Sequence, residues 1–409
     1  MKIISSNQPI FKLILFAILL FCSGLIPSNP SKSETINSII SHEKHSLLLW
    51  ELQYLPQKFF YSLSEFIFPF ENKKVSKKDP IEIIQNYIKI NDQIRKHNNE
   101  YEYAIIKGND FKLNTEKEKI IQQYINELEQ NQLITENALE EIVSNAIQEF
   151  NISILPNTVF PPVLISIEPP PSLLILSPRD QIKLEKTILL KSNNSIPQRY
   201  KIEDTIENLE NKSVLISDIG GLSTFPATVK VRSLESTLST TAHEWFHNYM
   251  IFKPLGRGYF NDDKLRTINE TAANIFGDEI AKYILDIEKN DVLKNPITAE
   301  PCNKPDFCFG LEMNETRSTA EEYLNQGDIS KAEKYMEDRQ KLFLDEGYII
   351  RKLNQAYFAF HGIYADSPSS KSTVFEELTY LRNQSKSLAD FIKKIENLSN
   401  ENDYQKLIK

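Results

Sequence analysis

Histidine, cysteine and glycine are scarce in this 409-residue sequence, and its lysines and arginines form no basic stripe. Because the net charge is also −9, a nucleic-acid-binding surface is not expected. The 11 glycines, beside plentiful Asn, Lys and Ile, indicate compositional bias and point to no function. The 41% hydrophobic and 25% charged residues predict a globular chain, long enough for one large domain or two ordinary ones.

The N-terminus has an apolar run at residues 13–26, but it is only 14 residues long. A membrane-spanning helix needs about 20 residues, so the run is typical of a signal-peptide core. Lys2 and Lys12 precede it. Residues 1–26 are therefore predicted to be a signal peptide, with an uncleaved membrane anchor as the alternative. Either way, the protein is expected outside the cytoplasm, as a membrane-anchored, secreted or periplasmic protein.

Residues 27–79 are predicted to be an aromatic-rich juxtamembrane segment followed by a polar linker. Pro56 and Pro69 break the aromatic stretch, and charged residues interrupt it, so it is not a clean spanning helix. Two alternatives remain for it. It either lies at the membrane surface or packs as a buried helix against the folded domain.

Two of the six histidines lie four residues apart in the stretch His243-Glu244-Trp245-Phe246-His247. On an α-helix this spacing puts both imidazoles on one face, where they can bind a single ion. Zinc accepts imidazole nitrogen, and Glu244 suits the role of general base toward the water that the metal activates. The alternative is a chance match, with two ordinary histidines on a buried helix.

A catalytic zinc usually has a third protein ligand and an open fourth position. The best candidate is Glu270, 23 residues after His247, on a second predicted helix that Asp262 or Asp263 could cap. Asn274, one turn further on, shares the face of Glu270 and could orient one of the ligands. Alternatively, Glu270 is a solvated helix charge, as glutamates usually are.

Together the two segments resemble the active site of the gluzincin metallopeptidases. The second, Asn269-Glu270-x-x-x-Asn274-Ile275-Phe276-Gly277, is similar to the thermolysin-like N-E-x-x-x-D-I-F-G helix. The resemblance covers the 35 residues from His243 to Gly277. It implies a zincin-like domain with Zn²⁺ bound by His243, His247 and Glu270. It also implies Glu244 as the base.

The sequence departs from that family at two points. Asn274 stands where the family has an acidic partner of a zinc-bound histidine. It can accept a hydrogen bond but adds no negative charge. The family's downstream histidine motif, which stabilises the transition state, has no match in this chain.

The remaining patterns predict a mostly helical α+β fold. Residues 80–150 are predicted to be a helical region of about three helices, separated at 108–110 and more weakly at 129–132. Short branched runs at 163–167, 173–176 and 213–217 predict a small sheet ahead of the HExxH helix. Residues 151–409 are therefore expected to be the metallopeptidase domain. Residues 220–227 are either a substrate-pairing edge, as the resemblance implies, or a plain loop.

A further helix is predicted from Tyr348 to Gly362. It is largely apolar, yet polar residues recur on it at three- and four-residue steps. A peptidase needs donors that stabilise the oxyanion, so Tyr357 and His361 are catalytic candidates expected to face the metal. The alternative is that the polar stripe bonds internal backbone, because unpaired buried polar groups cost free energy.

Cys302 and Cys308, with five residues between them in a loop, are disulfide candidates outside the cytoplasm. The leading hypothesis is a zinc metallopeptidase that hydrolyses a peptide or protein substrate outside the cytoplasm and associates with the membrane through its N-terminus. The alternative is a non-catalytic, membrane-associated scaffold that keeps a structural or vestigial zinc site.

Overall fold

The computed structural model describes residues 34–47, 49–51, 79–108, 115–154, 158–192, 194–289 and 307–409. The predictions for residues 1–26, for most of 27–79 and for Cys302 lie outside these ranges, whereas Cys308 is described and is disulfide-bonded. Across the described ranges, every helix is too short or too polar to cross a membrane. The chain is mostly helical and carries small sheets, which agrees with the predicted α+β class.

The helices are α1 Glu34–Ile39, α2 Pro80–Ile106, α3 Thr115–Glu149, α4 Ile196–Glu210, α5 Leu234–Met250, α6 Pro254–Arg257, α7 Asp263–Lys289, α8 Phe309–Asn325, α9 Ile329–Asp345, α10 Gln355–His361, α11 Val374–Asn383, α12 Leu388–Ile395 and α13 Glu401–Ile408. The strands are β1 Ile165–Ser166, β2 Ser172–Pro178, β3 Lys186–Leu190, β4 Lys212–Asp218, β5 Gly221–Leu222 and β6 Ala227–Val229.

The region 80–150 contains two long helices, α2 and α3, rather than the three that were predicted. Asp79 caps α2 by accepting the Ile81 amide at 3.0 Å. α3 runs unbroken through residues 129–132, because neither glycine nor proline interrupts it. Leu139 and Val143 on α3 are fully buried and belong to the same hydrophobic core as α5 and α7. The two helices therefore pack directly on the part of the fold that carries the HExxH motif.

One sheet has the antiparallel strand order β3-β2-β4, in which Ser172 pairs with Leu190 and Asp218. β2 and β4 contain the runs predicted at 173–176 and 213–217. β3 was not predicted, because its run is short and mostly only half-buried. Residues of α1 and α4 cover one face of this sheet, and residues of α10 pack on the other.

The second sheet has the order β1-β6-β5, with β1 parallel to β6 and β5 antiparallel to it. The predicted strand at 163–167 is reduced to the two residues of β1. Two carboxylates of α3 bond the amides on the side of β1 that faces away from β6: Glu140 accepts from Ile165 at 2.9 Å, and Glu136 accepts from Ile167 at 3.0 Å. This sheet leads directly into α5.

The predicted helix from Tyr348 to Gly362 is wrong in its first half, since α10 comprises only Gln355–His361. Asn354 starts α10 by accepting a first-turn amide at 3.0 Å, and it donates to a β4 carbonyl at 2.9 Å. Arg351 lies before the helix and donates to the carbonyl of Ile216 in β4 at 2.8 Å. Both residues thus bond backbone of β4, as the alternative expected, and Arg351 also donates to the carboxylate of Glu203.

Candidate metal centre

α5 carries His243 and His247. Ser233 caps this helix by accepting the Ser236 amide at 3.2 Å. Leu238 and Ala242 are fully buried, as the apolar spacing on this helix leads one to expect. The two histidines are consequently held on a fixed helix face, turned toward α7.

α7 carries Glu270 and lies close against α5. At Gly277 a Cβ atom would come within 2.5 Å of the Ser239 carbonyl oxygen, so only glycine permits this approach. Of the two predicted caps, Asp262 is the one used, since its Oδ1 accepts the amides of Lys264 and Leu265 at 2.8 and 3.0 Å.

The three predicted ligands lie together. His243 Nε2 and His247 Nε2 are 3.0 Å apart, and each is 3.4 Å from Glu270 Oε2. Ligand atoms around a tetrahedral zinc, each about 2.0–2.1 Å from the ion, are about 3.3 Å from one another. The two 3.4 Å distances fit such an ion, and the nitrogen pair would open by about 0.3 Å on binding.

Glu270 Oε2 gives the clearest sign that this cluster could bind a cation. The side chain is 5% exposed, and this oxygen has no hydrogen-bond partner within the part of the chain that is described. A buried, partnerless carboxylate oxygen costs free energy that a cation would offset. The side chains of His243 and His247 are 12% and 13% exposed, so solvent reaches the cluster.

Asn269 orients His247. Its Oδ1 lies 3.0 Å from His247 Nδ1, and its amide nitrogen donates to the Leu255 carbonyl at 3.5 Å. Because that carbonyl only accepts, the Asn269 oxygen faces the ring, and Nδ1 of His247 carries the proton. The lone pair on Nε2 is therefore left for a metal.

Tyr259, in the segment between α6 and α7, donates its hydroxyl to Glu270 Oε1 and packs edge-on against His247, with ring centroids 5.8 Å apart. One oxygen of Glu270 is thus occupied and the other is free to bind a metal. Burial and the charge of Glu270 raise the pKa of Tyr259 well above its ordinary value, so the hydroxyl keeps its proton.

The charges at the cluster favour a cation or a proton. Burial lowers the pKa of His243, but its close contact with Glu270 and the nearby carboxylates outweigh burial and raise the pKa to about 9. Burial raises the pKa of Glu270, yet the charge of His247 and the close contacts with both histidines hold it below its ordinary value. A metal therefore competes with a proton here, and acid should release it.

Glu244 is buried beside β5. A Cβ atom on Gly221 would lie 2.3 Å from Glu244 Oε1, so the strand backbone runs directly past this carboxylate. Burial raises the pKa of Glu244 above its ordinary value, which favours proton acceptance near neutral pH. β5 is an outer strand of the sheet β1-β6-β5, so an edge lies within the predicted segment 220–227.

Tyr357 and His361 lie side by side on α10, with ring centroids 4.3 Å apart. Burial alone raises the pKa of Tyr357 to about 12 and lowers that of His361 to about 4. Tyr364 differs from both, because the charges of Glu270 and Glu244 add to burial in raising its pKa. The hydroxyl of Tyr364 therefore lies within electrostatic range of Glu270 and Glu244. A direct role for Tyr357 or His361 stays a prediction.

Sequence reasoning did not single out Tyr259, Asn269 or Tyr364. Tyr364 continues the three- and four-residue steps that drew attention to Tyr357 and His361, so one more step would have found it. Asn269 directly precedes the third ligand within the N-E motif. No sequence pattern points to Tyr259, because its contact with Glu270 depends on how α7 folds back on α5.

No protein-family model, curated protein or solved structure matches this chain. The residues of the cluster and their geometry therefore carry the functional argument on their own.

Proposed function

We propose that the protein is a zinc-dependent metallopeptidase of the gluzincin type, which hydrolyses a peptide or protein substrate outside the cytoplasm. One observation carries the proposal: the partnerless oxygen of Glu270, buried and 3.4 Å from Nε2 of both histidines. His243, His247 and Glu270 are the donor set of a catalytic zinc, which binds three protein ligands and keeps a fourth position open.

Zinc held by these residues would polarise the scissile carbonyl and lower the pKa of a water toward about 7. Glu244 takes a proton from the attacking water and later delivers it to the leaving amine. Its burial suits both steps, because a raised pKa makes the carboxylate a better base. Tyr259 keeps Glu270 oriented throughout.

Two further elements suit a peptide substrate. Tyr364 stays protonated and is the donor that we assign to the oxyanion developing on the scissile carbonyl. The outer edge of β5 would pair with the extended substrate backbone and hold it beside Glu244.

The alternative, a scaffold with a structural or vestigial zinc, is less well supported. A structural zinc is usually enclosed by four protein ligands, whereas the described residues here offer three, and both histidines are partly exposed. The location outside the cytoplasm rests on the N-terminal apolar run and is supported by the disulfide at Cys308.

Metal analysis combined with Glu244→Gln tests the proposal. The purified wild type should contain about one zinc per chain. The variant should keep the zinc and cleave a peptide mixture, followed by mass spectrometry, about 10²–10⁴-fold more slowly. A wild type without zinc, or a variant that cleaves as fast as the wild type, would refute it.

A further inference from the structure

Asn274 is bonded on two sides. It lies one turn after Glu270 on α7, near enough to His243 to raise the pKa of that ring as a hydrogen-bond partner. Its amide nitrogen donates to both carboxylate oxygens of Asp366, at 3.0 and 2.9 Å. An ionised carboxylate only accepts, so the nitrogen must face Asp366 and the oxygen must face His243. The orientation of the amide is therefore fixed by Asp366.

The orientation of Asn274 determines the tautomer of His243. Nε2 of this histidine lies 3.4 Å from Glu270 Oε2 and 3.0 Å from His247 Nε2. Nδ1 is therefore the nitrogen left for Asn274, to whose oxygen it donates its proton. This tautomer directs the Nε2 lone pair to the position of the metal.

Asp366 belongs to the loop that follows α10, and this loop is attached to α7. The neighbouring Ala365 is buried, and its amide donates to Thr271 Oγ1 at 3.4 Å. Asp366 itself is exposed at the surface, so solvent screens part of its charge. Although the residue is exposed, the atoms around its carboxyl partly desolvate it and raise the pKa of Asp366, while the charge of His243 acts to lower it, which places the two groups within electrostatic range.

The two ligand histidines therefore have different support. The hydrogen-bonded chain from His247 through Asn269 ends on a neutral carbonyl at Leu255, whereas the chain from His243 through Asn274 ends on a carboxylate. We propose that Asp366, acting through Asn274, is a positioning residue for His243. It orients the amide, fixes the ligating tautomer and supplies the negative charge that Asn274 itself lacks. This inference rests on the proposed function only for the zinc, not for hydrolysis.

The test is the zinc dissociation constant of the full chain, measured by competition with a chromophoric chelator. Removing the hydrogen-bond partner of a metal ligand typically weakens metal affinity about 10–100-fold. Because Asp366 is exposed and acts on His243 only through Asn274, D366N should bind zinc about tenfold more weakly than the wild type. D278N is the matched control, because it removes a carboxylate from α7 that bonds Ser239 instead. D278N should bind zinc like the wild type.

A double variant completes the test. N274D/D366N places the carboxylate directly against His243, and it should recover an affinity within about threefold of the wild type. Equal affinities of D366N and the wild type would overturn the inference. A lower melting temperature of metal-free D366N, without recovery of zinc affinity in the double variant, would also overturn it, because Asp366 would then be purely structural. A wild type that binds no zinc would overturn this inference and the proposed function together.

Discussion

Two histidine-containing pairs lie on different helices with the same four-residue spacing: His243 and His247 on α5, and Tyr357 and His361 on α10. Their surroundings differ. At the first pair, Glu270 and Glu244 outweigh burial and raise the pKa of His243 to about 9. At the second pair, burial alone acts and lowers the pKa of His361 to about 4.

The difference shows what spacing can and cannot do. Spacing puts two side chains on one helix face, but carboxylates from another helix decide whether that face attracts a cation. Glu270 completes a group of three side chains around the first pair that could bind a metal ion. Without such partners, a buried histidine stays neutral and packs against an aromatic ring, as His361 does against Tyr357.

Replacing one histidine of each pair should produce the largest contrast. H243A leaves two ligands and should lose the zinc and all activity, whereas H361A should keep about one zinc per chain. Metal content after dialysis measures both. If both variants lost zinc, or neither did, the two pairs would not differ in the way described.

The second-largest contrast is expected in kcat, between a variant of Tyr364 and a variant of Tyr357. Y364F should lower kcat by about 10²–10³-fold with zinc retained, because the oxyanion loses a donor. Y357F is the matched control and should lower kcat less than about tenfold, since Tyr357 is not coupled to the carboxylates. A larger loss in Y357F would make Tyr357 the donor, as predicted from the sequence, and would refute the role of Tyr364.

The pH dependence of the free energy of unfolding should also distinguish the second pair from the first. The pKa of His361 falls from 6.5 to about 4 on folding, so below pH 6.5 only the unfolded chain takes up the proton. Above pH 6.5, His361 is neutral in both the folded and the unfolded chain and does not affect the free energy of unfolding. As the pH falls from 6.5 to about 4, protonation of His361 in the unfolded chain destabilises the folded protein progressively. Over this range the wild type should lose up to roughly 3 kcal/mol more than H361N. Denaturant unfolding at neutral and acidic pH measures the difference, and equal losses would contradict it.

The smallest effect should come from moving a carboxylate while leaving the histidines in place. In G221A the new methyl group displaces the carboxylate of Glu244, so kcat/KM should fall about tenfold at unchanged zinc content. G220A is the control, because a Cβ on Gly220 meets nothing within 4 Å. Equal activities of the two variants would show that the position of Glu244 tolerates this shift.

The clustering of His243, His247 and Glu270 could be predicted from the sequence because their geometry is local. His243 and His247 share one helix, and Glu270 lies on the next long one along the chain. Their partners could not be predicted. Asp366 lies 92 residues from Asn274, and no pattern in the sequence joins the two.

The secondary structure, too, was predicted wrongly where it depends on contacts that are distant in the sequence. α3 was divided in the prediction at a polar stretch, although no glycine or proline lies there to break it. α10 was predicted too long, because Arg351 and Asn354 bond β4 instead of continuing the helix. Bonds to a distant strand override local periodicity, and the helix pattern alone does not reveal them.

The glutamates that α3 places along β1 also bear on solubility. Strand edges with free amides act as templates for other chains and so promote aggregation. Glu140 and Glu136 occupy the outward amides of Ile165 and Ile167, so α3 closes this edge with side chains instead of a further strand. At the other end of the same sheet, β5 keeps an edge beside Glu244. In the described structure, this sheet is thus protected against strand addition at β1, while its outer strand at the other end, β5, lies beside the residues of the candidate metal site.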